Sequence, residues 1–334
     1  MSNTVPPSSF SLAPLDPLAD TDEALAEELL TLRDCLRWCA SAFAHGQQGK
    51  PLYYGHGTDN AWDEAVALVL GALRLPPDSG NEVLDARLLR SERERIIALA
   101  RLRVEQRLPL PYLLGEAHFA GHLFCVDARV LIPRSPIAEL IEDGFSAWFP
   151  ERDPASVLDL CTGCGCIGIA AALALPTSEV ILADLSQDAL AVARRNITRF
   201  ELGGRVKAVH SDLFSALEGR RFELIVCNPP YVDARDLANM PAEFRHEPAL
   251  ALGSGVDGLE LTRRLLREAR AHLTDDGVLI TEVGNSERQL VEAFPELPFV
   301  WVEFERGGHG VFALTARDLD ALSTDMHQED SDVR

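Results

Sequence analysis

Apolar positions recur with two different periods along the chain, and the change of period divides it. From Asp22 to about Ala44, Leu25, Leu29, Leu32, Leu36, Cys39 and Phe43 recur at steps of three and four, which predicts one amphipathic helix. A second helix is expected from Thr58, a candidate N-cap, to about Leu75, where Pro76-Pro77 ends it. A third opens on Ser91-Glu92-Arg93-Glu94, a capping-box pattern, and runs to about Leu108, ahead of Pro109 and Pro111. These segments predict a helical bundle domain over residues 21–114. Residues 1–20, with Pro6, Pro7, Pro14 and Pro17 among small polar residues, are expected to form a flexible leader.

Between residues 115 and 135 the pattern alternates around Gly115 and Gly121, and Phe119, Leu123, Cys125 and Val130 predict a short linking β-hairpin. Ile132-Pro133-Arg134-Ser135-Pro136 follows, with Pro136 suited to the first turn of a helix reaching about Phe149. Beyond Ala155, apolar runs alternate with helical stretches. Strands are expected at Val157–Leu160, Val180–Ala183, Val206–His210, Leu224–Cys227, Val278–Val283, Phe299–Phe304 and Val311–Thr315. This is an α/β pattern: a seven-stranded, mostly parallel sheet covered on both faces, filling residues 136–316. The last two strands, joined by Arg306-Gly307-Gly308-His309, read as a hairpin and predict one antiparallel edge strand. The acidic, apolar-poor residues 317–334 are expected to be a disordered tail.

Composition narrows the class. With 334 residues and 47% hydrophobic content, the chain can bury a large core in about two domains. Its longest uncharged apolar segment, Ile167 to Leu175, falls far short of the ~20 residues of a membrane span. No basic region followed by an apolar run opens the chain, so neither secretion nor membrane insertion is predicted. Seven irregularly spaced cysteines fit free thiols in a reducing cytoplasm. The formal charge of −21 repels phosphate backbones and steers in basic partners, so nucleic acid is not the expected direct substrate.

Candidate chemistry gathers at strand ends. The first strand enters Asp159-Leu160-Cys161-Thr162-Gly163-Cys164-Gly165-Cys166-Ile167-Gly168, a small-residue loop that feeds a helix and lets a ligand approach the backbone. Glycines at 163, 165 and 168 also satisfy the dinucleotide spacing, so NAD is a rival ligand. Asp159 and the cysteines suit a ligand with an ammonium group and no pyrophosphate. Asp184, at the end of the second strand, can take two ribose hydroxyls; Asp212, at the end of the third, can accept from an adenine amine while Leu213 flanks the ring. Cys161, Cys164 and Cys166 lack the companion pair that zinc or an iron–sulfur cluster requires, and no metal is expected.

The fourth strand ends in Cys227-Asn228-Pro229-Pro230-Tyr231. Two prolines cannot donate to the ladder, so the strand must stop in a stiff turn. Asn228 Oδ1 and the Pro229 carbonyl can accept both hydrogens of a planar NH2 group, and Tyr231 can pack on its face. Glutamine and adenine both carry such a group. Glu247 and His246, further on, are candidate proton acceptors.

Together these residues resemble the class I, Rossmann-like S-adenosylmethionine-dependent methyltransferases, and Asn228-Pro229-Pro230-Tyr231 resembles the motif of those that methylate planar nitrogens. The helical N-terminal part, the hairpin and Ile132-Pro133-Arg134 are similar to the protein N(5)-glutamine methyltransferases, over roughly residues 20–316. The release-factor branch usually reads Pro-Arg-Pro-Asp-Thr-Glu after the hairpin. Here Pro133-Arg134-Ser135-Pro136-Ile137 and Phe244-Arg245-His246-Glu247-Pro248 resemble the branch acting on ribosomal protein uL3. The resemblance implies S-adenosylmethionine as cofactor, its methionine part along Cys161, Thr162, Gly163, Cys164 and Gly165, with Asp159, Asp184, Asp212 and Leu213 completing the site. Asn228 would touch both cofactor and substrate. Pro229, Pro230 and Tyr231 would share catalysis with it, and Arg134 and Glu247 would help bind uL3, free or on an assembling large ribosomal subunit. The family more often has Gly at the position of Cys161. The alternatives left open are a release factor as substrate, adenine N6 in nucleic acid, a nicotinamide oxidoreductase, and a non-catalytic uL3-binding factor.

Overall fold

The computed structural model describes residues 16–322, so residues 1–15 of the expected leader and 323–334 of the expected tail lie outside the described residues. Two compact units divide between Leu108 and Pro109, six residues earlier than the boundary expected after 114.

The first unit holds helices α1 (Asp22–Glu28), α2 (Leu32–His45), α3 (Ala61–Leu73) and α4 (Arg90–Glu105). The single helix expected over 22–44 is broken at Thr31, whose hydroxyl accepts from the Asp34 amide while the Asp34 carboxylate accepts from the Thr31 amide. A capping box inside an apolar stripe overrides its periodicity. Thr58 does not cap α3. Asn60 does, accepting from the Trp62 and Asp63 amides, while the Thr58 hydroxyl donates to Glu64. Ser91 likewise lies inside α4, which starts where the Glu92 carboxylate accepts from the Leu89 amide. Beneath these helices Arg103 and Glu64 form an ion pair whose side chains are 1% and 4% exposed, and Arg103 also donates to the Tyr53 carbonyl.

The second unit opens on α5 (Leu110–Leu114) and the antiparallel hairpin of β1 (Glu116–Phe119) and β2 (His122–Cys125). The helix expected to reach Phe149 is shorter. α6 (Ile137–Glu142) ends because Gly144 and Phe145 both take left-handed conformations. Then come β3 (Ser156–Leu160), α7 (Cys166–Ala174), β4 (Glu179–Asp184), α8 (Gln187–Arg199), β5 (Val206–His210), β6 (Phe222–Cys227), α9 (Ala234–Asn239), α10 (Glu260–His272), β7 (Leu273–Glu282), α11 (Glu287–Ala293), β8 (Val300–Trp301) and β9 (Val311–Thr315). The seven-stranded sheet runs β5-β4-β3-β6-β7-β9-β8, and all pairs from β5 to β7 are parallel.

β9 is antiparallel to β7 and to β8. The expected antiparallel edge strand is thus one place inside the edge, and the edge itself is the two-residue β8. Alternation explains the two cores: Leu224 and Val226 of β6 face one apolar cluster, Ile225 and Cys227 the other. Residues 317–322 do not begin a tail, because Leu319 is fully buried and Arg270 pairs with Asp320 at 2.5 Å.

Removing a partner from a buried ion pair is costly, so Glu64→Ala is expected to destabilise the protein by about 3–5 kcal/mol in urea unfolding. A loss under about 1 kcal/mol would mean that Arg103 is satisfied without its carboxylate.

Candidate active site

The loop between β3 and α7 is shaped from below. Asp159 is fully buried; its Oδ2 accepts from the Gly168 amide at 2.8 Å and from the Thr162 hydroxyl, while Oδ1 has no partner among the described residues. Burial pushes its pKa up to about 7, against the pull of those two hydrogen bonds. Gly168 is required here, since a Cβ would stand 2.2 Å from Leu182 Cδ2 and 2.9 Å from Asp159 Cβ. Asn196, missed in the sequence, ties the loop to the hairpin by donating to the Cys164 and Cys125 carbonyls and accepting from the Cys125 amide.

Above the loop lies a cavity of about 290 Å³ lined among others by Cys161, Gly163, Asp184, Asp212, Leu213 and Asn228. Asp184 Oδ2 accepts from the Gly163 amide and Oδ1 from the Ser186 amide, both at 2.8 Å, and burial raises its pKa. Asp212 pairs with Arg264 at 3.1 Å. Cys161 and Leu213 both have positive φ, 56° and 47°, so two side-chain-bearing residues hold conformations that glycine adopts more easily.

Four of the expected cofactor residues do not line this cavity: Asp159, Thr162, Cys164 and Gly165. The first two bond to one another beneath the loop, Cys164 points into the core, and Gly165 starts α7 against Ile169 and Leu182.

The Asn228-Pro229-Pro230-Tyr231 turn separates two cavities. Pro230 lines the first, and Asn228 lines both. The second, also about 290 Å³, is lined by Pro229, Tyr231, Arg134, Phe244 and Asp236 among others. Arg134 Nη1 donates to both oxygens of Glu247, at 2.9 and 3.0 Å, and its guanidinium lies 5.3 Å from the centre of the Phe244 ring. Glu247, expected to meet substrate, is instead buried behind Arg134, where it also accepts from the Ile132 amide. Neither it nor His246 lines either cavity.

Tyr231 donates its hydroxyl to Glu282 Oε1 at 2.7 Å, and its ring rests on Gly284, where a Cβ would come within 2.6 Å. Glu282 was missed in the sequence, although it ends an apolar strand as Asp184 does.

The donor set fits S-adenosylmethionine. The first cavity presents Asp184, Asp212 and Glu260, while its two guanidiniums are already paired, Arg264 with Asp212 and Arg129 with Asp127. Carboxylates suit hydroxyls, an amine and a cationic sulfur, and disfavour a pyrophosphate. Space is open beyond Gly163, so a ligand can approach its backbone. Among the described residues, no group of three His, Cys, Asp or Glu side chains is placed to hold a metal ion.

Unfolded Asp titrates near ~3.9. A folded value raised to about 7 means that the stability contributed by the Asp159 proton is present below about pH 4 and lost as pH rises through about 7. Asp159→Asn is therefore expected to flatten the pH dependence of unfolding free energy between about pH 4 and 7. Urea titrations of both proteins across that range check it; parallel curves would exclude Asp159 as the source.

Comparison with known proteins agrees with this geometry. The family model described as methyltransferase small domain matches residues 145–255. The ribosomal protein uL3 glutamine methyltransferase of Francisella tularensis is 48% identical over 88% of this chain and 93% of its own length. The protein of the same name from Xylella fastidiosa is 50% identical over 89% of this chain and 93% of its own. A solved 16S rRNA methyltransferase of T. thermophilus, in complex with AdoMet and guanosine, overlaps 60% of this chain and 49% of its own at 21% identity; its TM-score of 0.43 is too low to bear on chemistry. At the identity and coverage of the two uL3-modifying relatives, the chain belongs to the ribosomal protein uL3 glutamine methyltransferase family.

Proposed function

We propose that this protein transfers a methyl group from S-adenosylmethionine to the side-chain amide nitrogen of a glutamine in ribosomal protein uL3. The observation that carries the reading is the placement of Asn228, which borders both the carboxylate-lined cavity and the cavity holding Tyr231 and Arg134. Family membership supplies the acceptor.

Bound S-adenosylmethionine supplies an electrophilic methyl carbon on a positively charged sulfur. Asp184 and Asp212 offer acceptors to its hydroxyls and amine, and the Leu213 side chain gives an apolar flank. An amide nitrogen is a weak nucleophile, because its lone pair is delocalised into the carbonyl. Asn228 Oδ1 and the Pro229 carbonyl accept its two N–H groups, orient the nitrogen and stabilise positive charge as it grows. Pro229 and Pro230 fix those acceptors, because their rings lock φ. No side-chain base is assigned: the N-alkylated amide is acidic enough to lose its proton to water or to a carbonyl. Glu247 acts through Arg134, which it holds at the rim of the acceptor cavity.

The helical first unit is assigned to recognition of uL3, and the acidic surface to attracting that basic partner, free or on an assembling large subunit. Nucleic acid is not assigned as a direct substrate; lysines occur only at 50 and 207. Cytoplasmic residence follows from the substrate, and among the described residues no helix is long and apolar enough to cross a membrane.

With labelled cofactor and purified uL3, the wild type is expected to label one glutamine, and Asn228→Ala to lower the rate by about 100-fold or more. Labelling of a release factor or nucleic acid in preference to uL3 would overturn the assignment, as would full activity in the variant. Asp184→Ala is expected to abolish the rise in melting temperature that S-adenosylhomocysteine gives the wild type; an unchanged rise would remove Asp184 from the cofactor site.

A further inference from the structure

We propose that Glu282 is a positioning residue for methyl transfer, fixing the Tyr231 ring against the acceptor amide through the tyrosine hydroxyl. The inference rests on the reading of the Asn228–Tyr231 turn as the acceptor site. Glu282 closes β7, is 5% exposed, and has two hydroxyl donors: Tyr231 at Oε1, 2.7 Å, and Ser135 at Oε2, 2.6 Å. A carboxylate this buried is costly unless its oxygens are bonded, so both contacts are under strong restraint. Ser135 is held in turn, because its hydroxyl accepts from the Ile137 amide at the start of α6.

The tyrosine is gripped on three sides. Its hydroxyl is fixed by Glu282, its ring lies against Gly284, and its carbonyl accepts from the Ser286 hydroxyl at 3.2 Å. The residue lines the acceptor cavity beside Asn228 and Pro229. A hydroxyl already donated to a buried carboxylate is poorly placed to take a proton from substrate. Burial and the adjacent Glu282 charge both push the Tyr231 ionisation upward, which agrees with a packing role for the ring.

Ser135 extends the same restraint to the neighbouring loop. Arg134 lines the acceptor cavity, and the next residue is anchored on the carboxylate that anchors Tyr231. Cavity wall and catalytic turn thus share one fixed point at the end of β7.

Kinetics on uL3 separate positioning from simple structural support. Glu282→Gln and Tyr231→Phe are each expected to lower kcat by about 10- to 100-fold. In both variants the affinity for S-adenosylhomocysteine, measured by calorimetry, should stay within about twofold of wild type. Because the two residues act through one contact, the double variant should be no slower than the worse single variant. Losses that multiply in the double variant, or a wild-type kcat in either single variant, would overturn the inference. If Glu282→Gln does not fold, Tyr231→Phe decides alone, since it keeps the ring and removes only the hydroxyl.

A readout without turnover separates this inference from the functional reading. Amide hydrogen exchange at Asn228, Tyr231 and Val232 should quicken in Glu282→Gln while residues 161–165 keep wild-type protection; unchanged exchange at those three amides would overturn the inference. A wild type that fails to methylate uL3 would instead overturn the functional reading.

Discussion

The loop bordering the first cavity depends on a carboxylate that does not itself border it. Asp159 lies under the β3–α7 loop and spends one oxygen on the Thr162 hydroxyl and the Gly168 amide, which draws the first turn of α7 down onto the sheet. Close approach then dictates sequence: Gly168 has no room for a Cβ, and its neighbour Leu182 belongs to the next strand. With its base fixed, the loop offers the Gly163 amide upward, where Asp184 accepts it. The charge left in the core is disfavoured by burial, so the site's geometry is maintained at an electrostatic cost.

The same arrangement recurs at other strand ends and rims. Asp184 orders backbone amides while still bordering the first cavity; Glu247 orders Arg134 from behind the second; Glu282 orders Tyr231 and Ser135. Each carboxylate lets a rigid element present a more mobile group at a fixed place, which is what a reaction dominated by alignment needs. Such residues are distinguished by what they bond to, not by the residue types that flank them.

That distinction marks how far the sequence could be read. The apolar runs placed the ends of the parallel strands to within two residues, except that β7 begins at Leu273, five residues before the expected Val278, because strands in such a sheet are built from continuous apolar runs. Asp184, Asp212, Leu213 and the Asn228–Tyr231 turn could be picked out because a strand end in such a sheet opens on the ligand crevice. Local caps were misread. Thr31 starts a helix inside the expected stripe, since one well-made cap outweighs a continuing periodicity, and Asn60 and Leu89 stand where Thr58 and Ser91 were expected to open the next two. Asp159, Thr162 and Glu247 carry the residue types of a binding site yet border neither cavity. Side-chain direction at a loop depends on backbone conformation, and the left-handed Cys161 could not be foreseen from a residue that usually avoids that region. Asn196 sits within a helix and its partners are distant in sequence, so no local pattern announced it; Glu282 had the strand-end signal, but its partner Tyr231 is equally distant.

The position of β9 has a consequence for how the molecule behaves in a crowded solution. By turning antiparallel between β7 and β8 it pairs along its whole length with β7, and on its outer side Val300 and Trp301 form the short strand at that margin. The opposite margin, β5, is five residues long and carries the exposed Lys207 at its second position. Open strand margins invite pairing with another chain, and short or charged ones discourage it. A large, strongly apolar sheet is thereby kept from recruiting the extended segments of neighbouring polypeptides, so that aggregation is resisted by topology as well as by net charge.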